Sequence, residues 1–131
     1  MSAGACLAVH HFSPDTEVVG AEPATSDDAY RSLRDGVIHP AIPNTICDGL
    51  RTQLGDVNFP IIQEMMKEII LVDDQVTIRA MKTIWERMKV IVEPSSAITL
   101  AVVLDNPEYF KGKKVGLIIT GGNVNLDDLP W

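Results

Sequence analysis

Three short apolar runs punctuate the chain: Glu17-Val18-Val19-Gly20-Ala21, Glu68-Ile69-Ile70-Leu71-Val72 and Val115-Gly116-Leu117-Ile118-Ile119, ending in Glu22, Asp73 and Thr120. Runs this short and this continuous fit strands buried on both faces, as in a parallel sheet covered by helices. Helical patterns lie between them. Ser2 to Phe12 predicts a helix of small and apolar residues, Asp27 to Asp35 a short helix stopped by Gly36, and Phe59 to Lys67 another. Asp73 to about Lys89 carries the clearest signal: Asp73 can cap the first turn, and Val76, Ala80, Met81, Ile84, Trp85 and Met88 form one apolar stripe. Glu93-Pro94-Ser95-Ser96 opens a further helix, with Pro94 suited to its first turn and Ala97 to Leu104 as its apolar body. Alternating helices and strands predict an α/β sheet domain.

Two stretches break the alternation. Gly36 to Ile46, with Pro40 and Pro43, is expected to be a long surface connection of variable conformation. At the start, an apolar helix from Ala3 to Val9 has no preceding strand or cap, although a buried helix start needs partners for its free N–H groups. Met1 is therefore expected to be an internal methionine or a truncation point. No internal repeat or low-complexity tract is present.

Composition narrows the partners. With 131 residues, 46% hydrophobic and 22% charged, the chain has the size and balance of one globular domain. A net charge of −7 repels phosphate backbones and argues against a nucleic-acid partner. No apolar run reaches the roughly 20 residues that span a bilayer. The opening residues lack the basic region of a secretory signal. Cys6 and Cys47 are isolated, which fits a reducing cytoplasm and thiols that serve as small buried hydrophobes.

Three segments could carry chemistry. Thr120-Gly121-Gly122-Asn123 sets a hydroxyl and pliable backbone at the C-terminal edge of a sheet, where open α/β sheets bind ligands; it also fits an ordinary tight turn. Glu22-Pro23 followed by Asp27-Asp28 could supply hard oxygen ligands to Mg²⁺ or Ca²⁺, or could be a helix start capped by Asp27 with Asp28 favoured by the helix dipole. Glu93 could face a cleft as an acid or base, or face solvent. His10, His11 and His39 have no metal-binding spacing and read as surface or packing residues.

Taken in order, Val19-Gly20-Ala21-Glu22-Pro23, Thr45-Ile46-Cys47-Asp48-Gly49-Leu50, Trp85-Glu86-Arg87-Met88-Lys89, Val92-Glu93-Pro94-Ser95-Ser96 and Ile119-Thr120-Gly121-Gly122-Asn123-Val124 resemble the serine racemase and threonine/serine dehydratase family of pyridoxal-phosphate enzymes. The resemblance covers essentially the whole chain but only the second half of a family member. It implies a fold type II enzyme, with residues 1–131 as a single partial domain: part of a three-layer αβα unit with a mostly parallel sheet. The family's Ser-x-Lys-x-Arg-Gly segment, which holds the cofactor lysine, is absent. Lys67, Lys82, Lys89, Lys111, Lys113 and Lys114 lack that context. The tetraglycine loop that grips the cofactor phosphate would fall just before Met1.

The resemblance also implies roles. Thr120 matches the residue that hydrogen-bonds the pyridine nitrogen, followed by Gly121 in the same turn. Gly49 matches a residue whose backbone borders the cofactor, and Glu93 a glutamate near the ring. Glu22, the carbonyl of Ser26 and Asp28 match a divalent-cation site. The implied activity is that of a cytoplasmic threonine/serine ammonia-lyase, homodimeric at full length, that turns a β-hydroxy amino acid into a 2-oxo acid and ammonia. Its lysine, and the base acting on the opposite face, would lie outside this chain, leaving the chain inactive alone. Serine racemase, a hydroxyaspartate dehydratase, or a non-catalytic remnant acting as a binding module are the alternatives.

Overall fold

The computed structural model describes all 131 residues. Helix α1 (Ser2–Phe12) leads to strand β1 (Val19–Pro23), helix α2 (Asp28–Asp35), a single 3-10 turn (Asp48–Leu50) and helix α3 (Asn58–Met65). Strand β2 (Glu68–Val72) follows, then α4 (Asp74–Met88), α5 (Pro94–Asp105) and the one-turn α6 (Pro107–Phe110). β1 and β2 pair in parallel, with Val19 opposite Glu68 and Pro23 opposite Val72.

Strand periodicity divides the core between two helix layers. Ile69 faces a cluster with Ala3, Cys6, Ile62 and Met66, on the side of α1, α2 and α3. Its neighbour Ile70, with Val72 and Ala21, faces Ala80, Ile98, Ala101 and Val102 on the side of α4 and α5. Successive side chains point to opposite faces of a strand, so each strand feeds both clusters. The result is helix over sheet over helix. Gly20 makes the first layer close: a β-carbon there would lie 2.8 Å from the Met66 sulfur and 2.9 Å from Ile69 Cγ1.

Most helix ends have an identifiable cause. Asp73 Oδ1 accepts from the Gln75 amide at 2.7 Å and caps α4. Gly36 ends α2 at φ 72°, and Lys89 ends α4 in the same left-handed region at φ 59°. Pro94 takes the first position of α5. Its buried residues Ser96, Ala97, Ile98, Ala101 and Val102 pack it on the sheet and on α4.

Several expectations need correction. Val115 to Ile119 is not a strand; the sheet has two strands, and none of these five residues pairs with either. Strand structure needs a ladder partner, and no other strand of this chain lies beside the segment. Val115, Leu117 and Ile118 are exposed, and only Ile119 packs inward, against Met81, Ile84, Val92 and Ala97. β1 begins two residues late, which puts Glu22 inside the strand rather than after it. Met88 leaves the apolar stripe of α4 and is exposed, while Thr77 is fully buried. The turn at Asp48–Leu50 and helix α6 had no signal in the apolar pattern.

The connection from Gly36 to Ile46 has no regular structure, yet it is fastened. Ser26 Oγ donates to the Ile42 carbonyl at 3.0 Å and accepts from the Asn44 amide at 2.9 Å. Asp74 accepts from the Thr45 hydroxyl at 2.6 Å and the Ile46 amide at 2.9 Å. The second tether joins the start of α4 to the approach to Gly49. Asp74→Ala should therefore cost about 1.5–3 kcal/mol, the usual range for hydrogen bonds to a charged group. Urea unfolding of the chain measures this, and an unchanged midpoint would mean that packing alone holds the connection.

Candidate active site and cation site

Four of the candidate residues, Gly49, Glu93, Thr120 and Gly121, meet at the start of α5. Glu93 is the N-cap residue, but its side chain does not cap the helix. Instead, Oε2 accepts from the Asn123 amide at 2.8 Å, while the Glu93 amide donates to the Gly121 carbonyl at 3.0 Å. A β-carbon on Gly121 would overlap the Glu93 carboxylate, so this glycine is what allows the acid to lie against the turn. Ser95 holds the other wall. Its Oγ accepts from the Gly49 amide at 3.0 Å and donates to Asp48 Oδ1 at 3.3 Å, and a β-carbon on Gly49 would stand 3.1 Å from the Ser95 Oγ. Next to it, Ser96 Oγ accepts from the Gly121 amide at 2.7 Å and the Thr120 amide at 3.2 Å.

Thr120 itself is exposed, and the only partner of its hydroxyl is the Met1 sulfur at 3.7 Å. The start of α1 and the Thr120 turn thus share one edge. A cleft of about 360 Å³ opens beside this group, lined by Asp48, Arg51, Pro94 and Asn123 among others. Sequence reasoning singled out the Glu-Pro-Ser-Ser segment but missed that both serines fasten the surrounding backbone. Two hydroxyls directly after a proline at a helix start were the available signal.

Glu22, Ser26 and Asp28 form the second group. The Glu22 carboxylate reaches from β1 to the first turn of α2, where Oε1 accepts from the Ala29 amide at 2.8 Å and Oε2 from the Tyr30 amide at 2.7 Å. Asp27 is the N-cap by position but makes no capping bond; its carboxylate pairs with Arg31 Nε at 2.8 Å. The helix start is therefore capped by Glu22 and not by Asp27. Burial pushes Glu22 up to about 7, partly offset by the Tyr30 and Ala29 amides, with the Asp28 and Asp27 charges adding to the rise. Asp28 is raised too, chiefly by burial.

Asp28 Oδ2 is buried with no hydrogen-bond partner, the one such side-chain atom in the protein. An orphaned buried carboxylate oxygen needs a donor or a cation, and a hard divalent cation suits it. No set of three His, Cys, Asp or Glu side chains converges here, so carbonyls and water would have to complete any coordination shell. Ser26 spends its hydroxyl on the connection, which leaves its carbonyl as the available ligand.

Comparison with known proteins assigns the chain to a family. The family described as "Pyridoxal-phosphate dependent enzyme" matches residues 1–121. The chain belongs to that family. It is 46% identical to a β-hydroxyaspartate dehydratase of Paracoccus denitrificans (strain Pd 1222), covering 100% of this chain and 42% of the relative. It is 48% identical to a serine racemase of Dictyostelium discoideum, covering 96% and 40%. The crystal structure of the Dictyostelium serine racemase superposes with a TM-score of 0.87 at 47% identity over 95% of this chain and 41% of that one. A threonine deaminase from T.th. gives 0.89 at 38% identity over 95% and 46%. This chain therefore spans less than half the length of these relatives. Its αβα layering is part of the fold type II architecture, and pyridoxal phosphate is the cofactor of its family. No helix is long and apolar enough to cross a membrane.

Cys47 lies directly before this site, and burial pushes its thiol up to about 12. At pH 8 the thiolate is then roughly one part in ten thousand, and the thiolate is the reactive form. Iodoacetamide should leave Cys47 unmodified in the native chain and alkylate it in urea; mass spectrometry distinguishes the two. Rapid native labelling would mean that the segment opens.

Proposed function

We propose that this chain forms the second part of a pyridoxal-phosphate enzyme that converts a β-hydroxy amino acid, threonine or serine, into a 2-oxo acid and ammonia. The observation that carries the reading is the meeting of Thr120, Gly49 and Glu93 around the first turn of α5, beside the start of α1. These residues fit one wall of a cofactor site. Thr120 presents a hydroxyl with no partner but a sulfur, and Gly49 is exposed with no side chain in the way. Helix α1 has no side-chain cap, which leaves the amides of its first turn open to an anion such as a phosphate.

Bound pyridoxal phosphate supplies an electron sink for the charge that develops at the substrate α-carbon. Thr120 would donate to the ring nitrogen without fully protonating it. That keeps the sink modest and favours loss of a β-hydroxyl, or proton exchange at the α-carbon, over transamination. Glu93 would face the ring through Oε1, because the Asn123 amide holds Oε2. Gly49, fixed by Ser95, would keep its backbone close to the cofactor. The catalytic lysine and the second base fall to the part of the enzyme outside these residues.

In this reading residues 1–131 are one partial domain of a cytoplasmic homodimer, and the chain alone is inactive. Exposed Val115, Leu117 and Ile118 support a partial domain over a self-sufficient binding module, since such apolar surface is what a neighbouring strand covers. The names of the relatives at 46% and 48% identity favour a second reading, 3-hydroxyaspartate as substrate or racemisation of serine. Product analysis of the full-length protein with L-threonine, L-serine and 3-hydroxyaspartate separates these.

Thr120→Ala in the full-length enzyme should weaken pyridoxal-phosphate binding about tenfold, the loss of one good hydrogen bond. Fluorescence titration reads this, and unchanged affinity would refute the Thr120 role. Added to the 131-residue chain, the cofactor should give no visible absorbance band that depends on one lysine. A band removed by a single lysine substitution would place the catalytic lysine within the chain.

For the second group, we propose that Glu22, the Ser26 carbonyl and Asp28 hold Mg²⁺ or Ca²⁺. Either ion should raise the melting temperature of the chain, and Asp28→Asn should abolish the rise. An equal rise in both forms would reject the site.

A further inference from the structure

We infer that Ser96 is a positioning residue that sets the height of Thr120 against the cofactor, an inference that rests on the proposed role of Thr120. Ser96 occupies the third position of α5 and is almost fully buried, at 3% exposure. A hydroxyl near a helix start commonly turns back on its own helix. This one reaches outward. Its oxygen accepts from two consecutive amides of another segment, Gly121 at 2.7 Å and Thr120 at 3.2 Å.

The importance of those bonds follows from what surrounds them. Within this chain, no amide from Lys114 to Ile119 donates to another group. Past it, Glu93 fixes the Gly121 carbonyl and the Asn123 amide. Gly122 is pressed so closely on the Ile91 carbonyl that a β-carbon would stand 2.8 Å from it. None of these contacts reaches the Thr120 backbone. Within this chain Ser96 alone does, and it is carried by a helix packed on both strands. One hydroxyl thus transfers the rigidity of the sheet to the residue whose own hydroxyl is offered to the ring. Small errors matter here, because a positioned donor loses most of its value when displaced by about 1 Å.

Amide exchange tests the first half without cofactor. In the wild-type chain the Thr120 and Gly121 amides should exchange at least about tenfold more slowly than those of Val115 to Ile118. Ser96→Ala should remove that difference, leave the Asn123 amide protected, and have it restored by Ser96→Thr. Equal rates in the wild type, or unchanged protection in Ser96→Ala, would overturn the proposal. The wild-type comparison decides it even if Ser96→Ala does not fold.

Pyridoxal-phosphate affinity of the full-length enzyme tests the second half. Ser96→Ala should weaken binding, and Ser96→Ala combined with Thr120→Ala should be no weaker than Thr120→Ala alone, since Ser96 acts through Thr120. Fully additive losses would overturn it. Unchanged affinity in Thr120→Ala would reject the cofactor reading instead, and the exchange comparison would still decide whether Ser96 holds the turn.

Discussion

The seating of α5 on the sheet is the constraint on which the site depends. Ala97, Ile98, Ala101 and Val102 bury this helix against β1, β2 and α4. Its first turn then has no freedom of its own. Pro94 fixes the entry, and the side chains of Glu93, Ser95 and Ser96 spread from one turn to two backbone segments. Ser95 takes the Gly49 amide, Ser96 those of Thr120 and Gly121, and Glu93 that of Asn123. The candidate cofactor residues are far apart in sequence, and this turn is what brings them together.

Both candidate sites use a carboxylate to fasten backbone before any ligand is considered. Glu22 accepts two amides at the start of α2, and Glu93 one amide after the Thr120 turn. The difference lies in what each leaves open. Glu22 has both oxygens engaged and is largely removed from water, so its charge is costly and its proton affinity is raised by burial. Glu93 has one oxygen engaged and is half-buried, which leaves the other for an incoming group. Beside Glu22, the unpaired Asp28 Oδ2 adds a second acidic oxygen with no proton donor. Two buried carboxylates with one oxygen unanswered make a poor local structure without a compensating positive charge.

Much of this was legible in the sequence. The apolar periodicity of Asp73 to Lys89 located α4 to within one residue at each end, and Gly36 and Pro94 marked a stop and a start because their backbone preferences are local properties. The ordered motifs pointed to the family, and Gly49, Glu93, Thr120 and Gly121 do converge. What escaped was non-local. Val115 to Ile119 has strand composition, but a strand also requires a neighbour, and composition says nothing about that. Asp27 stood where a cap belongs, yet Glu22 captured the amides because the strand pairing places its carboxylate at the same helix start. The tethering by Ser95 and Ser96 depends on chain crossings that no spacing along the sequence reveals.

The hydroxyl at position 120 links the architecture to the chemistry it can support. In the proposed cofactor site, an acid at this place would protonate the ring nitrogen and deepen the electron sink, whereas the Thr120 hydroxyl would only share a hydrogen bond with it. In that reading the consequence would be a bias toward reactions that need modest stabilisation of the α-carbon charge, which include both β-elimination and racemisation. The relatives in comparison, a dehydratase, a racemase and a deaminase, span that range while sharing this fold. The wall described here is therefore suited to either outcome. Under the proposed function, the choice between them would fall to groups on the other side of the substrate, where a second base would return the proton or leave the hydroxyl free to depart.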